Sequence, residues 1–145
     1  QFPESWALFE RILSEEEKEG PITDPWLLLN AGQTALVMHR QDQGLDLLKR
    51  ASQYEPTRAQ ALEATALYYL SLQRTDDAMH ILSDLILQDP TNSRLIRLRA
   101  AARYTSGDAT GAVEDLERLL QMDPNDQEAK TRLAEIRGRL GTLTP

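Results

Sequence analysis

The side chains that could do covalent or acid–base chemistry are few, and their spacing suits neither catalysis nor metal binding. His39 and His80 are the only histidines and there is no cysteine. His39 falls in an expected inter-helix turn and His80 on a helix, with no second ligand at zinc-like spacing. No Gly-rich phosphate loop, serine elbow or zinc-binding His pair occurs. Paired carboxylates are the usual material of acid–base work, and Asp76-Asp77 and Glu114-Asp115 are such pairs. Both stand at expected helix starts, where acids complement the macrodipole, and that explains them without catalysis. The expectation is therefore a non-enzymatic chain with no cofactor and no metal. The one charge constellation that stands out is Arg94, Arg97, Arg99 and Arg103, four cations on one expected helix with no acid between Ser93 and Tyr104. It reads either as an anion-accepting patch for an acidic peptide or as a set paired with acids such as Asp84, Asp89 or Glu114.

Composition narrows the partners. The net charge of −7 over 145 residues argues against nucleic acid and anionic membrane surfaces, because binding either depends on neutralising phosphates with cations. The charge is uneven, since residues 1–24 hold seven acids against Arg11 and Lys18. The apolar share of 41% is that of an ordinary folded domain. No apolar run approaches the ~18 residues of a membrane span, so direct membrane insertion is not expected. No signal peptide or lipidation motif is visible, but a chain that starts at Gln rather than Met reads as an excised piece. Cytoplasm and periplasm both stay open.

The elements that would position these residues follow from a repeat. Pro56, Pro90 and Pro124 are each 34 residues apart, and the residues between them keep register. Small residues recur at Gly32, Ala66 and Ala100, and again at Gly44, Ala78 and Ala112. Branched or small apolar residues recur at Leu28, Leu62 and Ile96, at Leu48, Leu82 and Leu116, and at Ala51, Leu85 and Leu119. Within each unit the apolar spacing has helical period. Breakers separate the halves at His39–Asp42, Gln73–Asp76 and Ser106–Asp108, where Asp42, Thr75 and Asp108 are expected N-caps. The prolines close each unit, since an imide cannot continue a helix. Small residues at fixed places let helices approach closely, and a period of this length marks a stack of helix pairs.

These columns resemble the tetratricopeptide-repeat family over about residues 25–126. The third unit is the closest match, with Gly107-Asp108 in its turn and Leu120–Asn125 at its end. The departures are Leu28, Leu62 and Ile96 where the family usually has an aromatic, and Arg103 where it has a large apolar residue. The resemblance implies an all-α fold: a right-handed α-solenoid of three helix-turn-helix repeats at 25–58, 59–92 and 93–126. To these are added an N-terminal helix with connector (1–24) and a C-terminal capping helix with tail (127–145).

In such a fold the first helix of each pair lines a concave groove. The resemblance places Trp26, Leu29, Asn30, Gln33 and Val37 there from the first unit, and Gln60, Glu63, Ala64, Leu67 and Ser71 from the second. The third contributes Arg94, Arg97, Leu98 and Ala101, with Tyr104 beside them. The implied function is a protein-interaction scaffold that holds a peptide or partner subunit in this groove. Part of the strip could equally serve only to pack the first helices together. The alternative function is a segment of a longer solenoid or a self-associating spacer in a secretion, envelope or polysaccharide-export complex. The Ala-, Leu-, Arg- and Asp-rich repeats have a bacterial look. The two-carboxylate clamp of co-chaperone members is not expected, since its positions read Leu29, Gln33, Ala64, Arg94 and Leu98 and only Arg94 keeps the charge.

Outside the repeat, Phe2, Trp6, Phe9, Ile12 and Leu13 give a helix over about 3–19. It either seals the first unit or lays its aromatics in a groove of this or a neighbouring chain, which would allow self-association. At the other end Ala129, Leu133, Ile136 and Leu140 stripe an amphipathic helix that is read as covering the stack's last apolar face, the alternative being that it begins a fourth unit. Gly138, Gly141 and Pro145 are expected to end it.

Overall fold

The computed structural model describes the backbone of residues 2–16, 18 and 20–143. These form eight helices and, among the described residues, no strand: α1 (Phe2–Glu16), α2 (Pro25–Val37), α3 (Gln41–Ala51), α4 (Glu55–Ser71), α5 (Thr75–Gln88), α6 (Ser93–Thr105), α7 (Ala109–Met122) and α8 (Gln127–Leu143). The chain divides into two compact units, residues 1–68 and 69–145, with the division inside α4.

In the first unit α2 packs on α3 and α1 packs on α2. The core joins Ile22, Leu28, Leu29, Leu47, Leu48, Ala51 and Ala61, with Phe9 and Leu13 of α1 packed against it. Trp6 is also buried. The aromatic face of α1 thus covers the first helix pair, as a sealing helix does. The side chain of Phe2 and the end of the expected helix at Glu17 and Glu19 lie outside the described residues. Asp24 caps α2 by accepting from the N–H groups of Trp26 (2.9 Å) and Leu27 (3.2 Å), and Pro25 takes the first turn.

In the second unit α6 packs on both α5 and α7, and α7 packs on α8. The repeated columns are buried throughout: Ala66, Ala78, Leu82, Leu85, Ile96, Ala100, Ala112, Leu116 and Leu119 are all core, and only Leu62 is half-buried. The small residues are needed where α2 meets α3. A Cβ on Gly44 would stand 2.6 Å from Leu36 Cδ2 and 3.0 Å from its backbone nitrogen.

The turns inside the pairs also repeat. His39 (φ 59°), Gln73 (φ 58°) and Gly107 (φ 91°), 34 residues apart, take the left-handed conformation. After each, an N–H reaches back five residues: Arg40 to the Ala35 carbonyl, Arg74 to Tyr69 and Asp108 to Arg103 (2.8–2.9 Å). This is the hydrogen-bond pattern of a Schellman stop. It shifts the caps from their expected places. The N-cap positions are Arg40, Arg74 and Asp108, and only Asp108 caps, accepting from the Gly111 N–H at 2.8 Å. Asp42 and Thr75 instead lie in the first turn, because the reversal ends earlier than the polar residues suggest. Arg40 and Arg74, which cannot cap, lie over the rings of Trp6 (4.9 Å) and Tyr69 (4.5 Å).

The prolines do not all play one role. Pro90 and Pro124 lie in turns, but Pro56 is already in the first turn of α4. Two residues after Pro90 and Pro124 stand Asn92 and Asp126, which cap α6 and α8 by accepting from the Leu95 and Ala129 N–H groups. The matching residue in the first unit is Arg58, a donor that binds the Ser52 carbonyl instead, and α4 starts four residues earlier in the repeat register than α6 and α8. At the other end α8 runs through Gly138 and Gly141. Glycine lowers helix propensity but keeps its N–H, so the ladder continues where a proline would stop it. Ala129, Leu133 and Ile136 are buried, whereas Leu140 is 39% exposed.

Candidate partner-binding site

The expected groove residues are described unit by unit. In the first unit Trp26, Asn30, Gln33 and Val37 form an exposed stripe on α2, and on α4 Gln60 and Leu67 are exposed while Glu63 and Ala64 are half-buried. Leu29 departs from expectation. It is 3% exposed and belongs to the core with Leu28 and Leu47, so it cannot line an open channel. Consecutive leucines at 27–29 span too wide an arc for all to face solvent. In the second unit Ser71, Arg94 and Ala101 are exposed and Leu98 is half-buried.

The arginine series is mostly neutralised, by acids other than those the spacing suggested. Arg99 forks onto Asp115, Nη2 to Oδ1 at 2.6 Å and Nε to Oδ2 at 3.0 Å. Arg103 Nη1 reaches the same carboxylate at 3.0 Å and the Gly111 carbonyl at 2.9 Å. Asp115 is buried, so this carboxylate and two guanidiniums replace the large apolar residue that the repeat usually has here. Arg97 crosses from α6 to the start of α8, donating to Asp126 at 2.8 and 3.4 Å and pairing with Glu128 at 3.1 Å. The hydrogen bond with Asp126 raises the Arg97 pKa further. In return the guanidinium, helped by the Ala129 N–H, holds the Asp126 carboxyl below its ordinary range. Three of the four cations are thus committed within this unit, which removes the four-arginine anion patch.

What α6 and α8 do form is a pocket. A cavity of about 220 Å³ opens between them over Leu116 of α7. Ala100, Leu116 and Ile136 supply an apolar floor, Ala101, Tyr104 and Thr105 one wall, and Glu128, Arg132 and Glu135 the other, with Arg97 at the rim. Tyr104 is fixed as a wall by Arg139, whose Nη1 donates to the phenol oxygen at 2.7 Å. Of the expected residues, Arg97, Ala101 and Tyr104 meet here. The α8 half was missed because the cap was favoured over the alternative of a fourth unit, whose first helix would line the groove as α8 does here. Among the described residues no cluster of His, Cys, Asp or Glu could hold a metal ion, and no helix is long and apolar enough to cross a membrane.

Comparison with known proteins agrees with this architecture. A family model described as tetratricopeptide repeat matches residues 35–102. Among curated proteins the chain is similar to ER membrane protein complex subunit 2-A of Xenopus laevis, 29% identical over 102 residues, which is 70% of this chain and 34% of that protein. It is also similar to subunit 2 of Xenopus tropicalis at the same identity and coverage. The chain spans about a third of the length of these relatives. Among solved structures, a crystal structure of MamA superposes with a TM-score of 0.78 at 15% identity, covering 97% of this chain and 79% of that one. The first TPR of Spaghetti (RPAP3) bound to the HSP90 peptide SRMEEVD gives 0.68 at 21% identity, covering 81% and 95%. At these identities the superpositions establish the fold. Residues 35–102 thus carry the tetratricopeptide repeat, and the 34-residue register, the recurring helix pairs and the superpositions extend the same all-α repeat fold along the chain.

Proposed function

We propose that the domain holds a peptide segment of a partner protein on the exposed face of its first helices, with the α6–α8 pocket as the principal contact in the second unit. The observation that carries this is the pocket itself, a concave, mainly apolar recess whose wall residues Ala101 and Thr105 are open to solvent. Recesses of this kind on rigid helices receive apolar anchors of extended or helical peptides. In the first unit Trp26, Val37 and Leu67 offer exposed apolar surface of the same kind. A photo-crosslinking amino acid at Ala101 tests the assignment, with exposed His80 on α5 as the control site. Adducts in native extract are expected at position 101 and not at 80; equal labelling at both would refute it.

A second reading has its own support. The relatives are about twice as long as this chain and are named as subunits of a complex, which favours a segment of a longer solenoid within an assembly. In that reading the exposed Leu8 of α1 is available for association between copies. Light scattering separates the two, since a mass independent of concentration counts against self-association.

A further inference from the structure

The charges around the α6–α8 pocket are already matched to one another. Arg97 is held by Asp126 and Glu128, and Arg132 lies 3.8 Å from Glu135. An incoming carboxylate would have to take Arg97 from two acids, and an incoming cation would have to take Glu135 from Arg132. The first exchange breaks about as much as it makes, and the second gains little because Glu135 and Arg132 are exposed to solvent. The floor of Ala100, Leu116 and Ile136 has no polar side-chain atom to satisfy, and the Tyr104 ring, pinned by Arg139, presents an aromatic wall. The volume of about 220 Å³ falls below the ~300–1,000 Å³ of sites for whole small molecules, so it suits one side chain.

We infer that this pocket takes a single large apolar side chain, aromatic by preference, from a partner segment that is uncharged on either side of that anchor. The inference rests on the peptide-binding reading above and adds the chemistry of the ligand. An aromatic anchor gains stacking or edge contact with Tyr104 and concentrates the binding energy in one desolvated recess. Because no new ion pair forms, the affinity is insensitive to salt, unlike contacts between exposed charges.

A displayed library of random heptapeptides, selected on the full chain, tests this. Enriched peptides are then titrated calorimetrically in 50 and 500 mM NaCl, against the parent chain and the cavity-filling variants Ala101→Trp and Thr105→Trp. Both positions are solvent-exposed on α6, so at least one variant keeps the thermal midpoint of the parent. The expected result is enrichment of Trp, Phe or Leu between uncharged neighbours. Kd should change less than threefold with salt and weaken at least tenfold in a folded filling variant. Enrichment of acidic or basic peptides whose Kd weakens tenfold with salt would overturn the inferred chemistry and leave peptide binding standing. Unchanged affinity in both filling variants would overturn the location alone. Failure to enrich any peptide would remove the peptide-binding reading and this inference with it.

Discussion

Arg99 and Asp115 meet as a two-pronged pair at 2.6 and 3.0 Å, and the side chains are only 13% and 3% exposed. The carboxylate also serves Arg103, so one buried acid answers two guanidiniums between α6 and α7. Removing it would leave two poorly hydrated cations facing each other. Asp115→Ala is expected to cost about 3–5 kcal/mol of unfolding free energy, the usual penalty for stranding a buried partner. Urea denaturation measures it, and a loss below 1 kcal/mol would show that the arginines escape to solvent.

Asp126 links pH to stability. Its carboxyl titrates below the ordinary value of 3.8 because Arg97 and the Ala129 N–H bind the charged form. With the folded pKa depressed, the contribution is complete above about pH 4 and is lost as pH falls through the lower folded value. Arg97→Gln should raise the Asp126 pKa towards its ordinary value and flatten this acid limb. Carboxyl NMR titration reads the first effect and unfolding at pH 2–5 the second. Asp126→Ala should cost a further ~0.5–2 kcal/mol at neutral pH through loss of the α8 cap.

The three left-handed turn residues offer a matched test. A side chain in this conformation costs ~1–2 kcal/mol, and glycine avoids that at the expense of a more disordered unfolded chain. His39→Gly and Gln73→Gly should each raise stability by about 0.5–1 kcal/mol, and Gly107→Gln should lower it by a similar amount. Thermal midpoints of the three variants check the signs; the same direction in all three would contradict the turn assignment.

Close approach of α2 and α3 depends on Gly44. Gly44→Val would drive a branched carbon into Leu36 and its backbone nitrogen. A loss of ~1–3 kcal/mol is expected from overpacking, measured by chemical denaturation. Ala78→Gly, at the same column in the second unit, serves as the comparison and should cost ~1 kcal/mol from helix propensity.

The helix pairs were legible because a repeat writes its core as columns. Leu48, Leu82 and Leu116 announce themselves by period, and all three are buried. What period could not convey was the side-chain partnership of residues that break the columns. Arg103 looked like a defect in the apolar pattern until Asp115, twelve residues on, supplied its counter-charge. The caps at Asp42 and Thr75 were misplaced because a polar residue near a turn does not reveal which residue adopts positive φ. Leu29 looked available because equivalence between repeats gives direction, whereas the actual depth of a side chain depends on its neighbours Leu28 and Leu47. The pocket went unread for a similar reason: its second wall stands on α8, beyond the third repeat.

Asp126 has one further consequence. The same carboxylate starts α8 and steadies Arg97 on α6. Sequence drift at that single position would therefore disturb the seat of the last helix and the mouth of the recess in one stroke. The recess can diversify at Ala101, Thr105 or Arg132, but this hinge-pin offers no comparable freedom.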